Sequence, residues 1–341
     1  MVAVPGRWDT VLSQMDDLFA KELLVVMGKG GVGKTTVAAA LGIAAAERGL
    51  RTILAEVGAR QDAARSLGLD GDGTDSRETV VGGGLHHISI DPERAMQEYL
   101  VDQLPLRALA DALAASRLFT YLAAATPGLR ELLTVGKVWE LAQPERRTPG
   151  AEPYDLVILD APATGHGLAL LQAPRTFAAT ARVGPIARQG DKIDATLRDP
   201  GRTAVILVTT PEETPVSETL VLRAALREQL GHEPDAVIVN SLLPERLNGA
   251  EMRAVDVALA AIGASGGAAD AANVVADPSH RHRRPALLAA HARETRVHKQ
   301  RAQLRRLRRA LDGDVRVITL PLLITANLGS AEIAELSRRL R

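Results

Sequence analysis

The densest chemistry in the 341-residue chain lies in Gly28-Lys29-Gly30-Gly31-Val32-Gly33-Lys34-Thr35-Thr36. The stretch fits G-x-x-x-x-G-K-[ST], in which glycines let successive backbone N–H groups turn inward onto phosphate oxygens. A helix that starts at such a loop adds the partial positive charge of its N-terminus. In this pattern Lys34 bridges the β- and γ-phosphates of a nucleotide, and the Thr35 hydroxyl ligates Mg²⁺. The plain alternative is a glycine-rich turn with a chance lysine. Context favours the phosphate loop, because an apolar strand precedes it and a helical pattern over 35–48 follows. Composition adds Lys29 to the candidates. The chain holds 35 Arg and only 6 Lys, yet two lysines fall in this one loop. A compact, flexible ammonium suits a phosphate, whereas the plain alternative for Lys29 is a solvated loop residue.

A second constellation runs Asp155-Leu156-Val157-Ile158-Leu159-Asp160-Ala161-Pro162-Ala163-Thr164-Gly165-His166. An apolar strand ending in Asp160 puts a carboxylate where it holds Mg²⁺, through water, beside a phosphate loop. The Pro/Gly-rich segment after it suits a switch that rearranges when a γ-phosphate leaves, with His166 as a conformational contact rather than a general base. An ordinary strand end and turn would look similar in isolation. A water in line with the γ-phosphate also needs an acceptor to orient it. At the end of the second strand the nearest carboxylate is Glu56, in Ala55-Glu56-Val57-Gly58.

These residues need a sheet to bring them together. Apolar runs at 23–27, 52–57, 85–90, 156–159, 204–208, 236–239 and 315–320 read as strands, several of them apolar at every position. Such runs belong to strands covered on both faces, and helical patterns separate most of them. The fold class expected is α/β: a doubly wound, mostly parallel sheet with an inserted helical subdomain. The phosphate-loop core is expected over 1–91, 146–172 and 203–341, and the helical subdomain over 92–145 and 173–202. Gly71–Gly73, Gly82–Gly84 and the Gly/Ala-rich stretch 263–272 read as loops.

The segment Asp160–His166 followed by Gly167-Leu168-Ala169-Leu170-Leu171-Gln172-Ala173-Pro174 resembles the D-T-A-P-T-G-H-T-L-R-x-L-x-x-P signature of the ArsA-type ATPases. That family includes the arsenite-pump ATPase and the ATPase that delivers tail-anchored membrane proteins. The phosphate loop resembles its deviant form, G-K-G-G-x-G-K-[ST]. The resemblance covers about 23–340 and implies ATP and Mg²⁺ as cofactors, with no zinc because C-x-x-C is missing. It implies a dimer with ATP at the interface, in which Lys29 reaches the nucleotide of the other subunit. Val237-Ile238-Val239-Asn240 resembles the family strand whose Asn reads adenine, and Pro321-Leu322-Leu323 the adenine-side loop. The family's S-T-D-P-A-H switch has its Asp where this chain has Gly58, with Glu56 two positions earlier and displaced by about 6–7 Å along the strand. The E-V-x-x-R-Q form, with Thr126-Pro127-Gly128-Leu129-Arg130-Glu131, resembles an actinobacterial branch of anion-transporting ATPases. Members of that branch look like one half of a pair, so a homodimer and a heterodimer with a D-P-A-bearing paralogue both stay open. A weakly hydrolysing or non-hydrolysing half is the alternative function.

The remaining signals are weaker. Lys+Arg and Asp+Glu both number 41, so no global charge draws the chain to nucleic acid or anionic membrane. With 8 aromatics there are few platforms for base stacking, and nucleic acid is not expected as a partner. The basic run His280–Arg284 and the helical pattern 286–311 read as a solvated face, with a nucleic-acid patch or a His280/His282 metal site as sharper alternatives. His86 and His87 fall on one strand and point to opposite faces. Leu104, Leu106, Leu109, Leu113, Leu118, Phe119, Tyr121 and Leu122 are either core or a groove for a hydrophobic helix or membrane-protein client. No cysteine, signal sequence or apolar run long enough to span a bilayer is visible, and a cytoplasmic location is expected.

Overall fold

Continuously apolar strands gain most when both of their faces are covered, and the chain is built on that arrangement. The computed structural model describes residues 15–58, 61–69, 77–103, 126, 128–148, 150–181, 184–264, 278–325 and 328–340. Eight strands form one sheet: β1 (Leu23–Gly28), β2 (Thr52–Val57), β3 (Thr79–Gly82), β4 (Leu85–Ile90), β5 (Leu156–Asp160), β6 (Thr203–Thr209), β7 (Ala236–Leu242) and β8 (Arg316–Pro321). Their order is β3-β4-β2-β5-β1-β6-β7-β8. Every pairing is parallel except β3 with β4.

The described helices are α1 (Lys34–Ala46), α2 (Asp62–Ser66), α3 (Pro92–Gln103), α4 (Leu129–Leu141), α5 (Thr164–Ala181), α6 (Pro185–Arg198), α7 (Glu213–Leu230), α8 (Gly249–Ala264), α9 (Pro278–Ala310) and α10 (Ser330–Ser337). Because successive strand residues face opposite ways, two cores form. Leu24, Val26, Leu54, Ile158 and Ile206 pack with α1 and α10 on one face. Leu23, Val25, Met27, Leu159 and Leu207 pack with α4, α5, α6, α7 and the C-terminal half of α9 on the other. Alanine fills α1 because a helix laid flat on the centre of the sheet has room for little else: Ala38, Ala39, Ala40, Ala44 and Ala45 are fully buried.

The fold class read from the sequence is the one observed. The helical patterns inside 92–145 and 173–202 appear as α3, α4, the end of α5 and α6. Among these, α4 and α6 share the sheet's core through Val135, Val138, Leu141, Ile193 and Leu197. The apolar run 104–122, residues 71–73 and most of the 263–272 stretch lie outside the described residues. One strand was missed. The sequence reads Gly82–Gly84 as a loop, but Gly83 (φ 59°) and Gly84 (φ 92°) make the tight turn of a hairpin that adds antiparallel β3 at the sheet edge. Its sequence, TVVG, is short and exposed, so it lacks the apolar signature of the other strands.

At the opposite edge α9 runs for 33 residues, with ten Arg and one Lys against one Glu. Among the described residues three of these cations meet carboxylates: Arg293 with Glu294, Arg296 with Glu212 and Arg301 with Glu245. Among the described residues no helix is long and apolar enough to cross a membrane.

The crossover into β5 is fixed by a buried polar network. Arg146, whose side chain is 1% exposed, donates to Glu78 (2.6 Å) and Glu140 (3.2 Å). The Tyr154 hydroxyl donates to Glu78 at 2.7 Å. Burial opposes ionisation of Glu78, yet the bonds from Arg146 and Tyr154 hold its carboxyl below the ordinary range. Burial and the same contact push Tyr154 up. Removing one member strands a buried charge, so Arg146→Ala is expected to cost about 3–5 kcal/mol in urea unfolding, whereas the apolar Arg146→Met with Glu78→Gln costs less, because Glu140 keeps Lys137 at 3.2 Å. Equal losses in the two variants would show that packing, not charge, governs the site.

Candidate active site

In a doubly wound sheet the crevice for a ligand opens at the carboxyl ends of the strands, where neighbouring crossovers leave on opposite faces. Here that place is the end of β1, between β5 and β6. The loop 28–34 leaves β1 and enters α1 directly. Gly33 adopts φ 88°, and a Cβ there would collide with the Asn240 amide. Asn240, buried at the end of β7, donates through Nδ2 to the Val32 carbonyl at 3.0 Å. Glycine at 33 is therefore demanded twice, by backbone conformation and by the side chain that braces the loop.

The parallel register puts Asp160 opposite Val26, so β5 ends beside the loop. Thr35 donates from Oγ1 to Asp160 Oδ2 at 2.6 Å. The other carboxylate oxygen, Oδ1, is buried and accepts no hydrogen bond. Burial pushes the Asp160 carboxyl up to about 6; the Thr35 bond and Lys34 oppose the shift, while Glu56 and Asp62 add to it. Lys34 Nζ donates to the Lys29 carbonyl at 3.0 Å. Desolvation lowers the Lys34 pKa against the pull of Asp160. A hydroxyl and an orphaned carboxylate oxygen, both hard donors, suit Mg²⁺, which takes one or two protein ligands and completes its shell with phosphate and water. Among the described residues no group of three His, Asp or Glu gathers as an all-protein metal cage, and Mg²⁺ beside a phosphate loop requires none.

Glu56 lies on β2 in register with Asp160. It is buried, and its carboxylate accepts from the N–H groups of Asp62 (2.8 Å) and Ala63 (3.3 Å) at the start of α2. His87 Nε2 stands 3.3 Å from its other oxygen. Glu56 thus caps a helix whose chain enters through Gln61 in a left-handed conformation (φ 53°). Arg60, the cation nearest to Glu56 in sequence, lies outside the described residues. Gly58 has open space where a Cβ would stand, and the Ser89 hydroxyl donates to its carbonyl at 2.6 Å. His86 and His87 do point apart: His86 meets the edge of Tyr154, while His87 meets Glu56.

Lys29 leans the other way. Its ammonium pairs with Glu218 of α7 at 2.7 Å. Pro321 ends β8 opposite Leu242 of β7, so Asn240 and Pro321 lie on neighbouring strands. His166 is exposed in the first turn of α5. His280 and His282 fall in the first turns of α9. The capping of α2 by Glu56 and the Lys29–Glu218 pair have no local sequence signal, since the partners are brought together by the fold.

Comparison with known proteins agrees with this geometry. The family model for anion-transporting ATPases, ArsA_ATPase, matches residues 21–188 and 179–255. The chain belongs to the ArsA-type ATPase family. It is 31% identical over 251 residues to the ATPase BagA of Mycobacterium tuberculosis, covering 72% of this chain and 73% of the relative. It is 31% identical over 255 residues to an arsenical pump-driving ATPase of Escherichia coli, covering 67% of this chain but 36% of that protein. To the ATPase GET3C of Arabidopsis thaliana it is 25% identical over 278 residues, 68% of this chain and 70% of the relative. ATPase function and nucleotide binding are thereby established for the family.

The buried Asp160 carboxyl yields a pH dependence. Its folded pKa, about 6, stands above the 3.8 of an ordinary Asp, so the stability it contributes is present at low pH and lost as pH rises through about 4 to 6. Without Mg²⁺ or nucleotide, Asp160→Asn is expected to gain on the order of 2 kcal/mol relative to the parent between pH 4.5 and pH 7.5 in urea unfolding. A pH-independent difference would mean that Asp160 ionises as it does in water.

Proposed function

We propose that this chain binds Mg·ATP at the loop 28–36 and works as a dimeric ATPase with ATP at the interface. In this reading nucleotide state opens and closes the helical subdomain, 92–145 with 173–202, which holds a client or partner. The observation that supports it best is the Thr35–Asp160 pair, with Asp160 Oδ1 left unpaired in a buried site next to Lys34. Thr35 and Asp160 would hold Mg²⁺, which neutralises charge on the β- and γ-phosphates when bound. Lys34 leaves the Lys29 carbonyl for the phosphates, where an ammonium partly out of water attracts them more strongly than it would in solution. Asn240 braces the loop from behind and, with Pro321, borders the base. Lys29 acts on the nucleotide of the other copy. The client reading rests on the apolar run 104–122 and favours a hydrophobic helix, and the location is cytoplasmic.

A second reading concerns turnover. Glu56 is committed to the α2 backbone, and Gly58 offers no acceptor for an attacking water. This favours a slow or silent subunit completed by a paralogue that carries the missing carboxylate.

Lys34→Ala is expected to abolish the heat of Mg·ATP binding in titration calorimetry while the fold persists. Unchanged affinity would remove the loop as the nucleotide site. For turnover, Gly58→Asp is expected to raise steady-state hydrolysis several-fold. The position has room, and Asp tolerates its left-handed φ of 93° for about 1–2 kcal/mol. Glu56→Gln is expected to leave turnover within a few-fold, since an amide oxygen still caps α2. Loss of hydrolysis in Glu56→Gln with no gain in Gly58→Asp would make Glu56 the group that orients water.

A further inference from the structure

The sheet order separates the two lysines of the phosphate loop. Asp160 and Thr35 sit on the β5 side of β1. Glu218 stands on α7, the helix that follows β6 on the opposite side. Lys34 is in the field of Asp160, whereas Lys29 is drawn to Glu218. Among the described residues, Lys29 is the one ion-pair partner of Glu218, and the two side chains are 39% and 40% exposed. The carboxylate is carried on a firmly held helix. Arg296 of α9 pairs with Glu212 at 2.7 Å, Arg306 donates to Ser217 at 3.1 Å, and Arg223 of α7 donates to the Ala310 carbonyl at 2.8 Å.

We propose that Glu218 is a positioning residue for Lys29: it holds the lysine's ammonium inside its own subunit and gives it up when a nucleotide-bearing second copy docks. The proposal rests on the dimeric reading above, in which Lys29 serves the other subunit's nucleotide. An exposed carboxylate offers a single ammonium contact, whereas a triphosphate offers several negative oxygens, so the exchange runs toward the nucleotide once the copies meet. The side-chain type fits a pair that has to open. In a chain with 35 Arg and 6 Lys, an arginine here could grip Glu218 with two parallel bonds, while lysine makes a single point contact. The half-exposed setting keeps the pair weak enough to break and sensitive to salt.

The test is sedimentation of the full chain with Mg²⁺ and a non-hydrolysable ATP analogue, at low and high salt. A pair of this exposure is worth about two- to fivefold in equilibrium, and a dimer opens two of them. Glu218→Gln is therefore expected to assemble at roughly 4- to 25-fold lower protein concentration than the parent at ~50 mM salt. Raising salt to ~0.5 M should weaken assembly in both but close most of the gap between them, because screening weakens the Lys29–Glu218 pair that only the parent has. Glu218→Ala should behave as Glu218→Gln does, which separates loss of the charge from loss of packing. Unchanged ATP binding by calorimetry shows that both variants are folded. If Glu218→Gln assembles like the parent, or less readily, while Lys29→Ala fails to assemble, Glu218 does not restrain Lys29 and the dimeric reading stands. If Lys29→Ala assembles like the parent, or no variant assembles with nucleotide, the dimeric reading falls and this proposal with it.

Discussion

A carboxylate taken out of water beside a hydroxyl and an ammonium is the constraint around which this molecule is arranged. Asp160 can keep its place only because β5 lies next to β1, so that both strands end at the same level and Thr35 reaches across. The central position of β1 follows from this need. One neighbour brings the acid, the other leads into the helix that faces Lys29, and β7, one strand further, brings the side chain that props the loop. The Ala-rich character of α1 is part of the same arrangement, since the helix must lie close to the sheet to aim its N-terminus at the crevice.

Much of this was legible in the residues themselves. Strands apolar at every position announce a sheet covered on both faces, and the glycine spacing before Lys34 announces a phosphate loop. Asp160 at the end of an apolar run was visible for the same reason. What could not be read was anything carried by side chains meeting across the fold. Glu56 appears in sequence only as the nearest carboxylate, and the partner to which β2 delivers it, the backbone of α2, leaves no trace there. Asn240 resembles a reader of adenine, and the structure adds its bond to Val32. The edge strand β3 escaped because it is exposed, short and entered through a turn of glycines, so nothing in its composition distinguishes it from a loop.

Glu56 also shows how a buried carboxylate can be held by the backbone of a neighbouring helix. Its carboxylate answers two N–H groups that the first turn of α2 would otherwise leave unpaired in a buried place. The neighbouring His87 and Ser89 add contacts to Glu56 and to the Gly58 carbonyl.

Helix α9 gives the molecule a property that its formal neutrality conceals. A net charge of zero means little mutual repulsion between copies, while ten arginines on one helix, three of them paired with carboxylates among the described residues, concentrate positive charge at one edge of the sheet. The balancing negative charge is spread over the rest of the body. Such a particle behaves in solution as a large dipole rather than as an uncharged sphere. Added salt first makes it more soluble, by shielding the attraction between the pole of one copy and the flank of the next. Its solubility is therefore governed less by the isoelectric point than by ionic strength.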